Sequence, residues 1–221
     1  MIYSLTLQAT YAAVEVGLFF NDTLHQQTVI IKHDATKYLM QAINKLLAEN
    51  DLTLKDLSYL AANKGPGPFT TLRVVIASLN GIVFAHSITL YGLDGLDAFL
   101  DQYACTQRTT VVLLNAFNND VYYAIQDTTK SRTKGCMKIE AFLNYLATAY
   151  PAHQFYFIGN GTSLHHSFIK DILHEQAHFS EQPIDTCSLE QLGTNGFKQW
   201  QAQEPGAHQI MPAYLKQVTV F

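Results

Sequence analysis

The stretch LSYLAANKGPGPFT, Leu57 to Thr70, joins an apolar run to a turn rich in glycine and proline. Leu57 to Ala62 predicts a buried strand, and the residues from Gly65 onward stop both sheet and helix. Thr70 is an expected N-cap, so a helix is predicted from there to about His86. A strand, a tight turn and a helix in direct succession indicate an α/β protein.

The flanking sequence extends this unit into a first lobe, expected over residues 1–106. Apolar and β-branched runs predict a meander of three strands before it, followed by a helix, and a strand and a helix after it. In chain order these are Ile2 to Leu7, Ala13 to Phe20, Thr28 to Ile31, Thr36 to Glu49, Ser87 to Tyr91 and Leu93 to Tyr103.

A second lobe is expected over residues 107–204, opened by a hairpin of Thr109 to Leu114 and Asp120 to Gln126. Its helices are predicted near Lys138 to Ala149, Ser163 to Ala177 and Leu189 to Gln201, with a strand at Gln154 to Ile158. Residues 205–221 are expected to form a tail that packs back on the first lobe. Each lobe has strands before helices, which predicts mixed sheets flanked by helices.

Composition excludes several classes of protein. With 48% hydrophobic and 14% charged residues in 221, the chain predicts a packed globular protein. Apolar runs such as Val111 to Leu114 are far shorter than the roughly 20 residues of a membrane span. The N-terminus has no cationic region typical of a signal peptide, so a cytoplasmic protein without membrane contact is expected.

The cysteine spacing and the net charge argue against two further classes of protein. Three cysteines without short spacing predict neither a disulfide framework nor a zinc ribbon. A formal net charge of -4, without a dense basic stripe, argues against direct binding of nucleic acid. Any RNA is therefore expected to be held by a partner.

The predicted helix from Thr70 to His86 is unusual because its face opposite the core stripe has no charge. A helix that is apolar or small all round is normally covered all round, and small residues let another backbone approach closely. Either the Thr36 to Glu49 helix covers this face or a partner protein does. The face consists of Val74, Ala77, Ser78, Gly81 and Ala85.

The glycine–proline turn, residues 65–68, precedes a helix N-terminus, where backbone N–H groups can hold an anion. It lacks the Gly-Lys-Ser/Thr ending of a P-loop. Gly65 and Gly67 are therefore only weak candidates for nucleotide contacts, and a tight strand-to-helix turn is the alternative. No cofactor is expected.

His174-Glu175-Gln176-Ala177-His178 matches the pattern in which two histidines one helical turn apart bind zinc and a glutamate activates water. No family pattern with a third ligand follows His178, so the alternative is a solvated helix end. A zinc-dependent hydrolase built on His174, Glu175 and His178 stays an alternative function, although no metal site is expected.

Gly65 to Arg73 resembles the Gly-Pro-Gly-Ser-Phe-Thr-Gly-Leu-Arg signature of the TsaB (YeaZ) family. Three later segments are also similar to family landmarks, so that the resemblance covers both lobes: Asn115 to Ala124, Ile158 to Gly161, and Pro212 to Lys216. The resemblance implies a two-lobed actin-like fold related to ribonuclease H.

The departures from the family pattern fall where chemistry would be expected. Gln8 stands in place of an aspartate that lies near metal and phosphates in actin-like ATPases. Two positions of the signature also differ, Pro68 for serine and Thr71 for glycine, while Asn115 and Phe117 replace an acidic and a basic residue. The resemblance places the metal-binding histidines of catalytic TsaD at about Gly95 and Phe99, and neither residue can ligate a metal.

The resemblance implies a non-catalytic dimerisation subunit that pairs with TsaD through its first two helices. It would support threonylcarbamoyl transfer to the adenosine beside the tRNA anticodon, with a TsaE-like ATPase as a further partner and tRNA bound only indirectly. Self-association is expected in the partner's absence. The expected interface comprises Thr36, Met40, Asn44 and Leu47 with Val74, Ala77, Ser78, Gly81 and Ala85. A nucleotide-binding actin-like kinase is the other alternative.

Overall fold

The computed structural model describes residues 1–216 of the 221-residue chain, which divides into two compact units. Unit 1 comprises Met1–Ala98 and Ser188–Ala213, and unit 2 comprises Phe99–Cys187 with the chain from Tyr214. This division differs from the expected boundaries at residues 106 and 204, because the helix α7 (Leu189–Gln201) belongs to unit 1.

Unit 1 contains a five-stranded sheet of order β3-β2-β1-β4-β5. The first three strands form the predicted antiparallel meander, and β4 and β5 run parallel to β1. The strands are β1 (Tyr3–Ala9), β2 (Ala13–Phe20), β3 (Thr23–Ile31), β4 (Tyr59–Asn63) and β5 (Thr89–Leu93). Helix α1 (Ala35–Ala48) precedes β4, and α2 (Phe69–His86) links β4 to β5.

One face of this sheet forms the apolar core of unit 1. The central strand β1 alternates, so that Leu5 and Leu7 point to one side and Ser4 and Thr6 to the other. The leucines join the core stripes of α1 and α2, represented by Leu39, Ile43, Val75 and Leu79. The amphipathic patterns that predicted these two helices therefore describe their packing correctly.

The opposite face of the sheet lies under α7. Gly193 approaches the ring of Phe19 and Gly196 the methyl group of Ala61, and neither position has room for a larger side chain. This close packing is the physical reason why α7 joins unit 1. The helix begins at Ser188, whose Oγ accepts a hydrogen bond from the Gln191 backbone N–H at 3.1 Å.

The face under α7 is also unusually polar for an interior. The hydroxyls of Ser4, Thr6 and Tyr59 are all buried on this face of the sheet. Burial raises the pKa of Tyr59 to about 12. Trp200 of α7 stacks near the Tyr59 ring, with centroids 6.1 Å apart.

Unit 2 contains a second five-stranded sheet, of order β10-β9-β6-β7-β8. Its strands are β6 (Thr109–Asn115), β7 (Asp120–Gln126), β8 (Arg132–Lys138), β9 (Phe155–Ile158) and β10 (Ala177–Phe179). Its helices are α4 (Ile139–Ala149), α5 (Asn160–Leu164) and α6 (His166–Leu173), while α3 (Gly95–Tyr103) crosses the division between the units. Neither β8 nor β10 is predicted by the sequence patterns.

The two sheets repeat one topology. In each, three antiparallel strands are followed by two strands parallel to the first, with a helical segment before each parallel strand. The spatial strand order β3-β2-β1-β4-β5 of the first sheet thus corresponds, strand by strand, to the order β8-β7-β6-β9-β10 of the second. The α/β class and the mixed sheets flanked by helices are as predicted.

The tail after α7 bonds back to unit 1. The backbone N–H of Ala207 donates to Leu90 O at 2.9 Å, and that of Ala213 donates to Lys64 O at 2.7 Å. Asn80 of α2 exchanges two hydrogen bonds of 3.0 Å with the Ile210 backbone. The last five residues of the expected tail, 217–221, lie outside the described residues.

Helix α2 is long and apolar enough, by length and composition alone, to cross a membrane, and 39% of it is buried inside the protein. The search for uninterrupted apolar runs does not detect this helix, because Thr70, Arg73, Ser78 and Asn80 interrupt it. A core helix of a globular protein passes the same test, so the observation is weak evidence for a membrane span.

Candidate functional site

Helix α2 begins one residue earlier than expected. It starts at Phe69, with Pro68 in the N-cap position and no side-chain cap, so Thr70 lies in the first turn and is not the N-cap. Pro68 suits this position because its fixed φ leads into the helix and no N–H is lost from the ladder. The guanidinium of Arg73 lies 3.7 Å from the Phe69 ring centroid.

The outer face of α2 is exposed in this chain. We define it as Ala77, Gly81, Phe84 and Ala85, all of which are exposed. A Cβ built on Gly81 would meet no atom within 4 Å. Phe84 is 91% exposed, the largest value among the exposed large hydrophobic residues of the described chain. Neither α1 nor any other described segment therefore covers this face.

The flanks of α2 are partly covered by the chain itself. Val74 is half-buried and packs against the unit 1 core, and Ser78 is also half-buried. Asn80, on the other flank, bonds to the tail at Ile210. Residues of the same unit therefore cover the margin of the uncharged face, at Val74 and Ser78. They do not cover its centre, which stays available to a partner protein.

Helix α1 supplies the neighbouring surface. Thr36, Met40 and Asn44 are exposed, as expected of interface residues, but Leu47 is only 2% exposed. Its expected exposure is wrong because Leu47 belongs to the buried stripe of α1 with Leu39 and Ile43.

Leu47 instead lines an apolar groove next to the outer face of α2. The groove has a volume of about 450 Å³. Its lining residues come from the end of α1, the following turn and the last residue of α2: Asn44, Leu47, Leu52, Thr53, Leu54, Lys55 and His86. The groove is thus continuous with the surface that the two helices present.

Phe84 is the interface candidate that the sequence patterns missed. The pattern of small residues that defines the face in the sequence does not include Phe84, because its side chain is large. Its spacing could have revealed it, since Phe84 follows Ala77 by seven residues and Gly81 by three, and these spacings share one helical face. The structure brings Phe84 together with both.

The glycine–proline turn uses its polar groups within unit 1. Gly65 is buried with φ of +113°, a conformation that favours glycine. Its N–H donates to Asn63 Oδ1 at 2.8 Å, and its carbonyl accepts from the Gly95 N–H at 2.9 Å. The Gly65 N–H is therefore already committed, which favours a tight turn over an anion site at Gly65.

The expected helical arrangement of His174 and His178 is wrong. Helix α6 ends at Leu173, His174 has φ of +47° in a 3-10 turn, and His178 lies in β10. The two imidazoles therefore do not lie one helical turn apart, and His178 Nε2 is 2.7 Å from Gln154 Oε1. Among residues 1–216, no three His, Cys, Asp or Glu side chains form a group that could hold a metal ion.

Three separate family-like segments converge in unit 2. The Asn115 backbone N–H donates to Asn160 Oδ1 at 3.0 Å, which joins the hairpin to the Ile158–Gly161 segment. Lys216 Nζ lies 2.6 Å from Asp120 Oδ2 and donates to Ala116 O at 3.0 Å, which joins the hairpin to the tail.

Asp120 is held by two lysines, because Lys138 Nζ lies 3.0 Å from its Oδ1. Partial burial raises the pKa of Asp120, but the hydrogen bonds from Lys216 and Lys138 and their charges lower it more. The net pKa is below the usual range, so the carboxylate is stabilised in its charged form.

The sequence matches the family model described as TsaD, tRNA N6-adenosine threonylcarbamoyltransferase, over residues 28–219. The chain belongs to the TsaD family. It is 29% identical over 111 residues to the tRNA threonylcarbamoyladenosine biosynthesis protein TsaB of Buchnera aphidicola subsp. Schizaphis graminum, covering 49% of this chain and 52% of that protein. The TsaB of Haemophilus influenzae is 26% identical over 122 residues, 54% of this chain and 52% of that protein. The chain thus matches about half the length of these curated relatives.

Two solved structures share the fold of the chain. YeaZ from Pseudomonas aeruginosa aligns with a TM-score of 0.69 and 18% identity, covering 97% of this chain and 100% of that one. A protein with similarity to peptidase YeaZ from Pseudomonas aeruginosa aligns with a TM-score of 0.73 and 19% identity, covering 98% and 100%. The resemblance to TsaB (YeaZ) is confirmed, and the predicted two mixed sheets flanked by helices are a fold that the chain shares with YeaZ.

The positions that the resemblance assigns to the metal ligands of catalytic TsaD do not fit a metal. A Cβ on Gly95 would lie 2.6 Å from Asn63 Oδ1, and Phe99 is only 1% exposed. Gln8, in the place of the family aspartate, is buried and donates from Nε2 to Glu15 Oε2 at 2.8 Å. The Glu15 carboxylate therefore accepts a hydrogen bond from the Gln8 side-chain amide within the sheet.

Proposed function

We propose that this chain is a non-catalytic, TsaB-like subunit that pairs with a TsaD-like protein in the cytoplasm. In this role it supports threonylcarbamoyl transfer to the adenosine beside the tRNA anticodon. The observation that carries the proposal is the exposed outer face of α2, which carries no charge from Ala77 to Ala85 and places Ala77 and Gly81 beside the protruding Phe84.

The chemistry of this face suits a protein partner. Small residues allow close approach of a second helix, and exposed aromatic residues at the centre of an interface commonly supply much of its binding energy. Met40 is 40% exposed on the neighbouring α1, and the apolar groove beside Leu47 can accept a side chain of the partner. Exposed apolar surface of this kind marks interaction sites.

Three features support a non-catalytic role. Gln8 is paired with Glu15, and the positions of the expected metal ligands are occupied by Gly95 and the buried Phe99. His174 and His178 lack the helical geometry of a zinc hydrolase. Chemistry at the adenosine is therefore assigned to the TsaD-like partner.

The charge and the surface of the chain support two further statements about its partners, and the family resemblance implies a third component. A net charge of -4 favours indirect contact with tRNA through the TsaD-like subunit. Without that subunit, the outer face of α2 can pair with a second copy, because the same patch serves both molecules in a two-fold dimer. A TsaE-like ATPase is proposed as a third component.

The decisive experiment is co-purification with the TsaD of the same source. Gly81→Arg places a long charged side chain where a Cβ meets no atom within 4 Å, so the monomer should fold while the partner is excluded. Ala141→Arg is the matched control, because Ala141 is an exposed small residue on α4. We expect the first variant to lose the partner and the control to keep it.

Retention of TsaD by the Gly81→Arg variant, at the level of the control, would refute this interface. Two further measurements separate the alternatives. Stoichiometric zinc that is lost in His174→Ala would favour the hydrolase, and magnesium-dependent ATP binding that is lost in Gly67→Val would favour the kinase. We expect neither result.

A further inference from the structure

The edge strands of the two sheets differ in how they are protected from further pairing. An edge strand presents N–H and C=O groups that can bond to another chain, and a covering segment, a short strand or charged side chains prevent this. Among residues 1–216, Ala207 bridges β5 at Leu90, and β10 has only three residues. The strand β8 carries Arg132, Lys134 and Lys138. The fourth edge strand, β3, has none of these protections.

The strand β3 is nine residues long, and its sequence TLHQQTVII contains no Lys, Arg, Asp or Glu. In the part of the chain that the structure describes, it pairs with β2 alone. A register shift at Leu18 and Phe19 of β2 interrupts the ladder near the start of β3, so the regular part runs from Gln26 to Ile31. We call the outward side of this part the β3 edge.

The backbone of β3 presents hydrogen-bonding groups on this side. The Lys32 N–H donates to Ala12 O at 3.0 Å, and bonded pairs occur at every second residue of an antiparallel ladder. The residues one, three and five positions before Lys32 therefore direct their N–H and C=O groups away from β2. These residues are Ile31, Val29 and Gln27.

The side chains of the same three residues are also exposed. Ile30 belongs to the unit 1 core, so Val29 and Ile31 point to the opposite face of the sheet. Val29 is 57% exposed and Ile31 59%, and Gln27 is exposed beside them. Exposed β-branched residues at an open edge suit packing against a further strand.

A second copy of the chain is complementary to the β3 edge. A two-fold axis at Val29 places Val29 opposite its own copy and Gln27 opposite Ile31 of the second copy. All of these residues direct their backbone groups outward, so they can form bonded antiparallel pairs. The Val29 and Ile31 side chains of both copies then form one apolar cluster.

The same register also matches charges. It places Lys32 of one copy opposite Gln26 of the other, and Gln26 Nε2 donates to Glu49 Oε2 at 2.9 Å. Each exposed Lys32 therefore approaches the Glu49 carboxylate of the second copy, and the symmetry produces this contact twice. The charges thus favour a second copy in this register.

We propose that two copies of this chain pair in antiparallel fashion through their β3 edges, so that their five-stranded sheets form one continuous sheet of ten strands. The inference goes beyond the proposed function, which uses the outer face of α2. Pairing through β3 leaves that face available to the TsaD-like partner.

Sedimentation velocity of the full chain tests the pairing. Because the outer face of α2 can also pair two copies, each variant is made in the Gly81→Arg background. That background should form a dimer in the micromolar range. Val29→Lys should weaken the dimer by about tenfold or more, because it places two like charges opposite each other. Thr133→Lys is the matched control and should leave the dimer unchanged, because Thr133 is an exposed β-branched residue of the edge strand β8.

Disulfide cross-linking tests the register. Opposite residues of a bonded antiparallel pair have Cα atoms about 5.5 Å apart, which is within disulfide range. Val29→Cys should therefore cross-link to its own copy under mild oxidation. Gln27→Cys should not, because the two copies of this residue lie about 14 Å apart along the strands. The chain without either substitution controls for the native cysteines, Cys105, Cys136 and Cys187.

Three results would overturn the proposal: a monomeric Gly81→Arg background, equal dimer stability in the Val29→Lys and Thr133→Lys variants, or equal cross-linking of the two cysteine variants. Loss of TsaD from a chain with Val29→Lys alone would assign the edge to that partner and also overturn it. We expect Val29→Lys to keep TsaD and Gly81→Arg to lose it, so the two proposals fail independently. Thermal denaturation verifies that each variant is folded.

Discussion

Helix α2 and the α5–α6 segment occupy the same place in two copies of one topology, between the two parallel strands of each sheet. Helix α2 is 18 residues long and unbroken, and its exposed surface from Ala77 to Ala85 carries no charged side chain, while Arg73 lies nearer the start of the helix against the Phe69 ring. Its counterpart is broken at His165 and carries Lys170 and Asp171 on its surface. The sheets thus determine where these helices lie, while the surface chemistry of each helix is determined by its own residues.

This difference separates a structural role from a binding role. Both helices bury an apolar stripe on their sheet, represented by Val75 in α2 and Ile169 in α6. Helix α2 exposes Ala77, Gly81 and Phe84 without a charged residue between them, whereas the exposed Leu164 and Phe168 of the α5–α6 segment alternate with the exposed Lys170 and Asp171. Water solvates an uncharged apolar surface poorly. Under the proposed function, the outer face of α2 is the surface that binds the partner, and the corresponding surface of the α5–α6 segment is not.

The largest expected effect is the loss of affinity for the partner when a charged residue replaces the exposed phenylalanine of α2 and not that of α6. Phe84→Asp should weaken binding to the TsaD-like partner by at least about 100-fold, because a central aromatic anchor is lost and a charge is desolvated. Phe168, 37% exposed on α6, is the matched position, and Phe168→Asp should leave the affinity unchanged. Calorimetric titration of both variants measures this, and equal losses of affinity would remove the distinction between the helices.

The next effect compares two helical glycines in unit 1. Gly193→Ala forces a methyl group against the Phe19 ring, and overpacking of this kind costs about 1–3 kcal/mol of unfolding free energy. Gly81→Ala adds a methyl group to open space and should stabilise the helix by about 0.5–1 kcal/mol. Urea denaturation of both variants should show shifts of opposite sign, and a stabilised Gly193 variant would contradict the packing of α7.

A smaller effect concerns the pH dependence of stability in unit 2. Lys216 and Lys138 lower the pKa of Asp120 in the folded state. The ionised Asp120 therefore stabilises the folded protein fully at pH values above its pKa in the unfolded chain. The contribution is lost as the pH falls through the folded pKa. Asp120→Asn should therefore lower stability by about 1 kcal/mol at pH 7, because the lysines are partly exposed, and by much less near pH 2. A loss of stability that is constant with pH would exclude this ion pair as the cause.

The smallest effect concerns the break between α5 and α6. Burial lowers the pKa of His165, and its Nε2 has no hydrogen-bond partner among residues 1–216. Because the pKa of His165 is lower in the folded state, the folded protein binds fewer protons than the unfolded chain. The stability of the folded state therefore declines as the pH falls below the ordinary pKa range of histidine. His165→Gln should flatten the stability profile between about pH 5 and 7. A difference in stability between His165→Gln and the wild type that is constant from pH 5 to 7 would contradict this cause.

Local patterns predicted the parts of this fold that depend on neighbours in sequence. The alternation of Leu5 and Leu7 with Ser4 and Thr6 located β1, and the 3.6-residue periodicity located α1 and α2. The strand β10 was missed because it has three residues and pairs only with β9. The unit to which α7 belongs depends on contacts with Phe19 and Ala61, which no local pattern records.

The candidate site was predictable only in part, for the same reason. The absence of charge around Gly81 indicated the surface, but exposure is a property of the folded chain. Leu47 lies on a helical face next to Met40, yet it is buried, and Phe84 is almost fully exposed. The match of His174 to His178 with a zinc motif failed because the motif assumes a continuous helix, and α6 ends at Leu173.

Unit 1 is built from two separate stretches of the chain, so the ribosome synthesises it in two stages. Residues 1–98 emerge first, but the helix that covers one face of their sheet belongs to residues 188–213. Until that helix is made, Ser4, Thr6 and Tyr59 face water, which can hydrate their hydroxyls. We expect hydration of these three hydroxyls to keep that face of the sheet polar until α7 is synthesised and covers it.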